Sequence, residues 1–406
     1  MDIRPILSTL RRHKIAAALI VIEIALSCAI ICNAVFLIGS RVERIGMPSG
    51  VAEPELAVVQ LTGIGTEDNG DVVTREDLAA LRAVPGVVDA AAANEVPFGR
   101  SSWNSGVMLT PDQKEQTLSA TTYMGSESLR ATLGTRLVAG RDFQPDEYVD
   151  LKPGSGSGYN PPAAIVTRSL ASKLWPGKNG IGEVFYFGDE NPVRVVGVVD
   201  HLVRPALFGG PETAEYSVFV PTRVSYDVGG YYVIRAQPGR TAEALKGAVA
   251  ALEKNNPNRI ITAQKTMTEI RDDFFRQDRS MAWLLVAVCV ALLVVTALGI
   301  VGLASFWVQQ RTRQIGVRRA LGATKGQILR YFQTENFLLA TLGIVVGMML
   351  AYGINQLLMA KYELPRLPAL YLPVGAVALW LLGQLAVLGP ARRAAAVPPA
   401  VATRSV

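Results

Sequence analysis

The residues best suited to bond chemistry are few. The 406-residue chain has two histidines, His13 and His201, and three cysteines, Cys28, Cys32 and Cys289. His13 lies in a basic flank, and His201 (in VVDHLVRP) has Asp200 beside it but no partner visible by spacing. A histidine triad or a histidine-ligated metal pair is hard to build from that stock, and His201 reads as a loop histidine. The cysteines all lie in apolar runs. Cys28 and Cys32 are i, i+4, where a helix holds Cα atoms about 6 Å apart and rarely strains to close a bridge, so they read as small apolar residues. Gly154-Ser155-Gly156-Ser157-Gly158 could suggest a phosphate loop, but it lacks the Gly-Lys-Ser/Thr ending and is flanked by Pro153 and Pro161-Pro162. It reads as a flexible loop. No catalytic set, no metal site and no Walker motif is found, so the chain is not expected to be an enzyme. What remains is charge in unusual places.

The clearest such place is residues 306–332, FWVQQRTRQIGVRRALGATKGQILRYF. It carries Arg311, Arg313, Arg318, Arg319, Lys325 and Arg330, and no acid appears until Glu335. Apolar runs flank it, Met281 to Val308 before and Phe337 to Met359 after. A basic loop between two apolar spans stays on the cytoplasmic side of a membrane. Arg311, Gln314 and Arg318 form one stripe at helical spacing, with Val317, Ala320 and Leu321 on another. Gly322 stops this short amphipathic helix, and a second helix starts near Lys325 and runs back toward the bilayer. A second charge out of place is Glu23, about nine residues into an apolar run. A carboxylate there must face protein or water. It reads either as a coupling or packing residue at a subunit interface or as a protonated or hydrogen-bonded structural acid near the end of a tilted helix.

The elements that position these residues follow from length and charge. Half the chain is apolar, and the net charge is +6. Residues 41–280 hold 25 Lys and Arg against 30 Asp and Glu, a net of −5; the rest holds 15 basic and 4 acidic residues. Excess positive charge confined to membrane flanks argues against a nucleic-acid partner, which needs a basic surface on a soluble domain. Residues 1–14 form a basic flank, and 15–38 a first span of about 36 Å at 1.5 Å per residue, enough for a core of about 30 Å with tilt. That run is too long for a cleaved signal peptide, and the pattern after it is wrong. The remaining segments are a 41–280 external domain, a 281–308 span, a 309–334 cytoplasmic loop, a 335–359 span, a 360–371 external turn, a 372–389 span and a 390–406 tail. The loop charges place both termini inside. Met267 to Arg279 is helix-compatible and feeds the second span, so one continuous helix is expected there.

Within the external domain, Glu55–Leu61 reads as a strand and Thr74–Val84 as a helix with Thr74 as cap and Asp77 at its third position. Val87–Asn94 reads as a returning strand. A second strand–helix–strand unit follows at 231–263. Together, 41–100 and 226–266 suggest one split α/β subdomain, with 101–225 inserted. The insert shows short strands near Thr121–Met124 and Ala163–Val166, helices at 126–133 and 168–174, and a hairpin of Val184–Phe187 with Val193–Val199 around Gly188–Asn191. Arg141-Asp142 reads as part of a structural turn rather than a functional ion pair.

RTRQIGVRRALGATKGQIL resembles the signature of the FtsX-like permease module of ABC transporters of the macrolide-exporter (MacB) type. Gln314 departs from it, standing where the family usually has glutamate. The external domain resembles the periplasmic domain of MacB-type permeases at Gly140-Arg141-Asp142-Phe143, AIVTRSLASKLWPG and Val195–Val199. The resemblance implies an α-helical membrane protein with four transmembrane helices and a large α+β extracytoplasmic domain of two subdomains, in the bacterial inner membrane. It implies a dimer, with an identical or related second permease subunit, working with separate ATPase subunits that bind ATP and Mg; no cofactor is expected in this chain. The ATPase-coupling residues it implies are Arg311, Arg313, Gln314, Gly316, Arg318, Arg319, Gly322, Ala323 and Lys325. Gly316, Gly322 and Ala323 would permit close backbone approach, and the arginines would meet acidic ATPase surfaces or lipid head groups. The function it favours is efflux or export, with substrate passed to a periplasmic adaptor. The alternatives are a non-transporting signal transmitter that activates a cell-wall hydrolase or senses a peptide, and a lipoprotein-releasing permease.

Overall fold

The computed structural model describes residues 14–63, 69–151, 161–187, 192–362, 367–368, 371–396 and 398. The basic flank up to residue 13 with His13, the 154–158 loop, the 188–191 hairpin turn, half of the 360–371 turn and the end of the tail lie outside the described residues. The chain falls into two compact units, Gly46–Arg276 on one side and Met1–Ile45 with Gln277–Val406 on the other. The first helix among the described residues is α1, Lys14–Ile45.

The Gly46–Arg276 unit contains two large sheets. The first has strand order β13-β1-β12-β2 and is antiparallel throughout, with β1 Leu56–Gly63, β2 Val87–Ala93, β12 Tyr231–Ala236 and β13 Arg259–Thr266. Its strands come from both ends of the unit. Helices α2 (Gly70–Arg82) and α5 (Thr241–Asn255) cover one face, where Val73, Leu78, Leu81, Ala248 and Leu252 meet Ala57, Val59, Ala90, Ala92, Tyr232 and Ile234. Burying each leucine there contributes roughly 2 kcal/mol. The second sheet, from the middle of the unit, has order β3-β4-β10-β7-β9-β5 with β8 on β9. Its strands are β3 Asn104–Val107, β4 Leu118–Tyr123, β5 Leu137–Gly140, β7 Ala163–Thr167, β8 Val184–Phe185, β9 Val193–Val199 and β10 Ser217–Phe219. Two short strands, β6 Val149–Asp150 and β11 Thr222–Arg223, pair beside it. Helix α3 (Leu129–Leu133) comes from the same middle segment but packs on β2 and β12 of the first sheet. Helix α4 (Arg168–Leu174) packs on β7 and β9, and the Thr167 hydroxyl caps it by accepting from the Leu170 N–H at 3.3 Å.

Two expectations are corrected here. Helix α2 starts a turn before Thr74, whose hydroxyl donates to the Gly70 carbonyl at 2.7 Å from inside the helix and accepts from the Tyr226 N–H. Asp77 is not a capping residue but a fully buried ion-pair partner of Arg259; it also accepts from Asn255 and the Tyr232 hydroxyl, both at 2.6 Å. Nor does one continuous helix feed the second span. Helix α6, Met267–Phe274, opens with a Thr266/Glu269 capping box and stops at Phe275, and α7, Arg276–Gln310, begins anew. Phe275 is fully buried, edge-on against Phe98 and Phe274, and this aromatic packing fixes the break.

The other unit joins α1 to α7, the short α8 (Thr312–Ala320), α9 (Lys325–Tyr362) and α10 (Tyr371–Ala396). Among the described residues, α1, α7, α9 and α10 are long and apolar enough to cross a membrane. Small residues set the packing of α9 on α1. A Cβ at Gly343 would come within 2.9 Å of Ile24, and one at Gly347 within 2.6 Å of the Ala25 carbonyl and Cys28, as close helix approach in lipid requires. Cys28 and Cys32 are buried and unbridged, their sulfurs 3.9 Å apart. Helix α7 meets α1 through a Ser27–Thr296 hydroxyl contact at 2.8 Å and an Arg41–Asp278 ion pair. Helix α10 runs past residue 389, through Pro390, to Ala396, so the first turns of the expected tail are helical.

Candidate functional site

The basic loop folds as a tight helix–turn–helix. Helix α8 ends because Gly322 takes a left-handed conformation, φ +97°, and the Ala323 N–H returns to the Arg318 carbonyl at 3.0 Å. No heavy atom lies within 4 Å of where a Gly322 Cβ would sit. Within this chain the glycine serves backbone geometry: its left-handed φ ends the helix. Helix α9 starts at Lys325 because Thr324 and Gln327 form a reciprocal cap: Gln327 N–H donates to the Thr324 hydroxyl at 3.2 Å, and Thr324 N–H to Gln327 Oε1 at 2.9 Å.

The arginines of the loop divide into two sets. Arg311 is buried; its Nη1 donates to both Glu335 oxygens at 2.9 and 3.0 Å, and its guanidinium lies 5.5 Å from the Trp307 ring. Arg319 donates to the Ala395 carbonyl at 2.8 Å and so caps the last turn of α10. Both clamp α8 onto the spans, Arg311 from a buried position and Arg319 while half-exposed. Ile315 and Gly316 are buried beneath. Arg313, Gln314, Val317, Arg318, Leu321 and Lys325 face outward, and Leu321 is 83% exposed. Arg318 lies 5.1 Å over the Tyr331 ring. Between α8 and α9 is a cavity of about 160 Å³ lined by Arg311, Gln314, Arg318, Ala323 and Gln327 with Ile315, Ile328, Tyr331 and Phe332. Glu335 was visible only as the first acid after the basic run; its pairing 24 residues back had no spacing signal.

Glu23 is half-buried on α1, with its carboxylate against the backbone of Gly299 on α7, where a Cβ would collide with it. The Gly140–Phe143 motif is a structural turn. Gly140 has φ +76° and no room for a side chain against the Val196 carbonyl. Arg141 forks onto Glu147 at 2.6 and 2.8 Å, and this hydrogen bonding holds the Glu147 carboxyl below its usual range. Asp142 instead accepts from Arg130, and Phe143 meets Tyr148 edge-on.

A residue missed in the sequence is Glu95. It is 2% exposed, Oε2 accepts from the Trp103 N–H at 2.6 Å, and Oε1 has no partner among the described residues. Burial pushes its carboxyl up to about 8. The nearby Arg204 opposes that shift, but it donates to Thr121 and Asn104 at 2.8 and 2.6 Å instead. Glu95 and Arg204 are too far apart in the chain for any motif to link them. His201 joins no metal cluster: its Nδ1 lies 2.7 Å from Glu215, and among the described residues no group of three His, Cys, Asp or Glu side chains could hold an ion.

Two family models match the chain: the MacB-like periplasmic core domain over residues 24–252, more than half of it, and the FtsX-like permease C-terminal domain over 286–399. Among curated proteins, the chain is 28% identical over 275 residues to the macrolide export ATP-binding/permease protein MacB of Chromobacterium violaceum, covering 66% of the chain and 40% of that protein. It is 25% identical over 405 residues to the MacB of Acinetobacter baylyi, covering 98% of the chain and 58% of that protein. To the uncharacterized ABC transporter permease YknZ of Bacillus subtilis it is 27% identical over 287 residues, covering 70% and 68%. The chain thus spans about half the length of the MacB relatives or less. Among solved structures, the periplasmic region of MacB from Actinobacillus actinomycetemcomitans matches at 14% identity with a TM-score of 0.36, covering 57% of this chain and 97% of that one.

Proposed function

This chain belongs to the MacB-type ABC transporter permeases, a MacB-like periplasmic core domain on an FtsX-like permease, and from that premise we propose that it couples ATP hydrolysis by a partner ATPase to movement of its external domain for efflux or export. Four membrane-length helices and the periplasmic-type domain fit an inner-membrane protein. The coupling element is α8. The observation that carries this reading is the division of its side chains: Arg311 and Arg319 lock the helix to α9 and α10, while Arg313, Val317, Arg318 and Leu321 stand outward as a small apolar patch ringed by positive charge. A rigidly held helix transmits a push, and an exposed leucine between arginines suits an acidic, apolar-centred groove. ATP and Mg would be bound by the partner, two permease chains would work together, and a periplasmic adaptor would receive the substrate. The external domain receives motion through the chain connections at Gly46 and Arg276, the ends of its compact unit.

The test is co-purification with a co-expressed ABC ATPase subunit. Leu321→Asp, and Arg313→Glu combined with Arg318→Glu, should weaken association by about thirtyfold or more, the effect of losing roughly 2 kcal/mol at an interface centre. Gln314→Glu, which restores the usual family residue, should change which ATPase the chain prefers. Full association of the outward-face variants would sink the reading.

A further inference from the structure

The cavity between α8 and α9 holds a charged donor that neither helix satisfies. Arg311 lines it and is 6% exposed; Nη1 is spent on Glu335, while Nη2 is buried with no partner among the described residues. A buried N–H left unpaired carries its full desolvation cost, so the site favours an acceptor. Arg318, Gln314 and Gln327 add donors around the same space, and its described lining includes no acid. The floor is apolar, made by Ile315, Ile328 and Phe332. This combination suits an anionic group attached to something greasy.

Depth narrows the choice. Phe332 precedes the apolar run that starts at Phe337 by five residues, about 7–8 Å along a helix. Arg311 follows the apolar run that ends at Val308 by three residues, about 4–5 Å. The headgroup layer is about 5–8 Å thick on each side of the hydrocarbon core, so the cavity lies at the level of lipid phosphates. Basic pockets beside membrane helices bind anionic headgroups there. We propose that this cavity binds the phosphate of an anionic phospholipid headgroup, with Arg311 Nη2, Arg318 and the side-chain amides of Gln314 and Gln327 as donors. Inorganic phosphate shares the chemistry, but depth and the apolar floor select the lipid. The proposal rests on the reading that this loop lies at the membrane surface; it needs no ATPase.

Native mass spectrometry of the full chain in detergent, titrated with phosphatidylglycerol, phosphatidylcholine or inorganic phosphate, tests it. The chain should retain phosphatidylglycerol in preference to phosphatidylcholine. Arg318→Gln, and Gln327→Glu (which keeps the Thr324 cap but puts a negative charge at the cavity), should each weaken phosphatidylglycerol binding at least about tenfold, as loss of a charge-assisted contact predicts. Arg330→Gln, an equal charge change outside the cavity, should stay within about twofold. Equal retention of both lipids, or an unaffected Gln327→Glu, overturns the site. Inorganic phosphate displacing the lipid at equal concentration overturns the lipid assignment. Should Gln327→Glu not fold, Arg318→Gln decides alone. Leu321→Asp lies outside the cavity, so lost ATPase association with intact lipid retention defeats neither this site nor its test.

Discussion

Arg311 and Glu335 show how much a single pairing changes a reading. Arg311 belongs to the basic run that sequence assigns to a partner surface, yet its charge is already matched inside the protein at 2.9 Å. A buried pair adds little net stability compared with apolar replacements, but removing one partner strands the other. Glu335→Gln should therefore lower stability by about 3–5 kcal/mol, read as thermal unfolding in detergent, and Arg311→Met combined with Glu335→Met should recover much of it. Glu95 makes the converse case, a buried acid whose nearby cation, Arg204, donates to Thr121 and Asn104 instead. Its carboxyl is pushed up to about 8, while an unfolded glutamate titrates near about 4.3. The folded state thus holds a proton that the unfolded state releases first. The stability it contributes is present at low pH and is lost as pH rises from about 4.5 to about 8, by up to about 1.4 kcal/mol per unit. Glu95→Gln should flatten that slope and raise the melting temperature at pH 8 but not at pH 4.5; parallel curves for the two proteins would rule out a buried neutral carboxyl.

At the scale of elements, the loop depends on where two helices stop and start. Gly322 supplies the left-handed residue that ends α8, and a side chain there costs about 1–2 kcal/mol. Gly322→Ala should speed amide hydrogen exchange in the α8–α9 turn by about 5- to 30-fold while leaving α9, with its own Thr324 and Gln327 cap, protected. That break was legible in the sequence because a basic amphipathic repeat, a glycine and a new helix start lie within twenty residues. So were the β1, β7 and β12 strands, whose apolar and β-branched runs carry a local signal. The inward turn of Arg319 was not, because its partner, the Ala395 carbonyl, lies 76 positions away. Thr74 misled for a related reason. Threonine followed by an acid three residues on is a cap pattern, but the acid, Asp77, has a buried partner, Arg259, on a strand 182 positions later. The break at Phe275 was also hidden, since the flanking polar sequence is helix-compatible and only packing on Phe98 ends α6.

Over the whole molecule, charge and hydropathy divide the chain at the same places as its contacts do. Residues 41–280 carry a net −5 and the rest carries 15 basic against 4 acidic residues, while the compact units part at Gly46 and Arg276. A membrane protein orients by the lysines and arginines of its short loops. The 309–334 loop is rich in them, so it should face the cytoplasm with both chain ends, and the large domain the periplasm. Exposed sites on each side make this testable after Cys28, Cys32 and Cys289 are replaced. Ser101→Cys on the large domain should react with a membrane-impermeant maleimide in cells whose outer envelope alone is opened. Lys325→Cys at the start of α9 should react only once the inner membrane is broken. The reverse pattern would put α8 on the side without ATP and remove the basis for coupling through it. Labelling of both sites at once in intact inner membranes would mean that the chain does not cross the bilayer as its four apolar helices require.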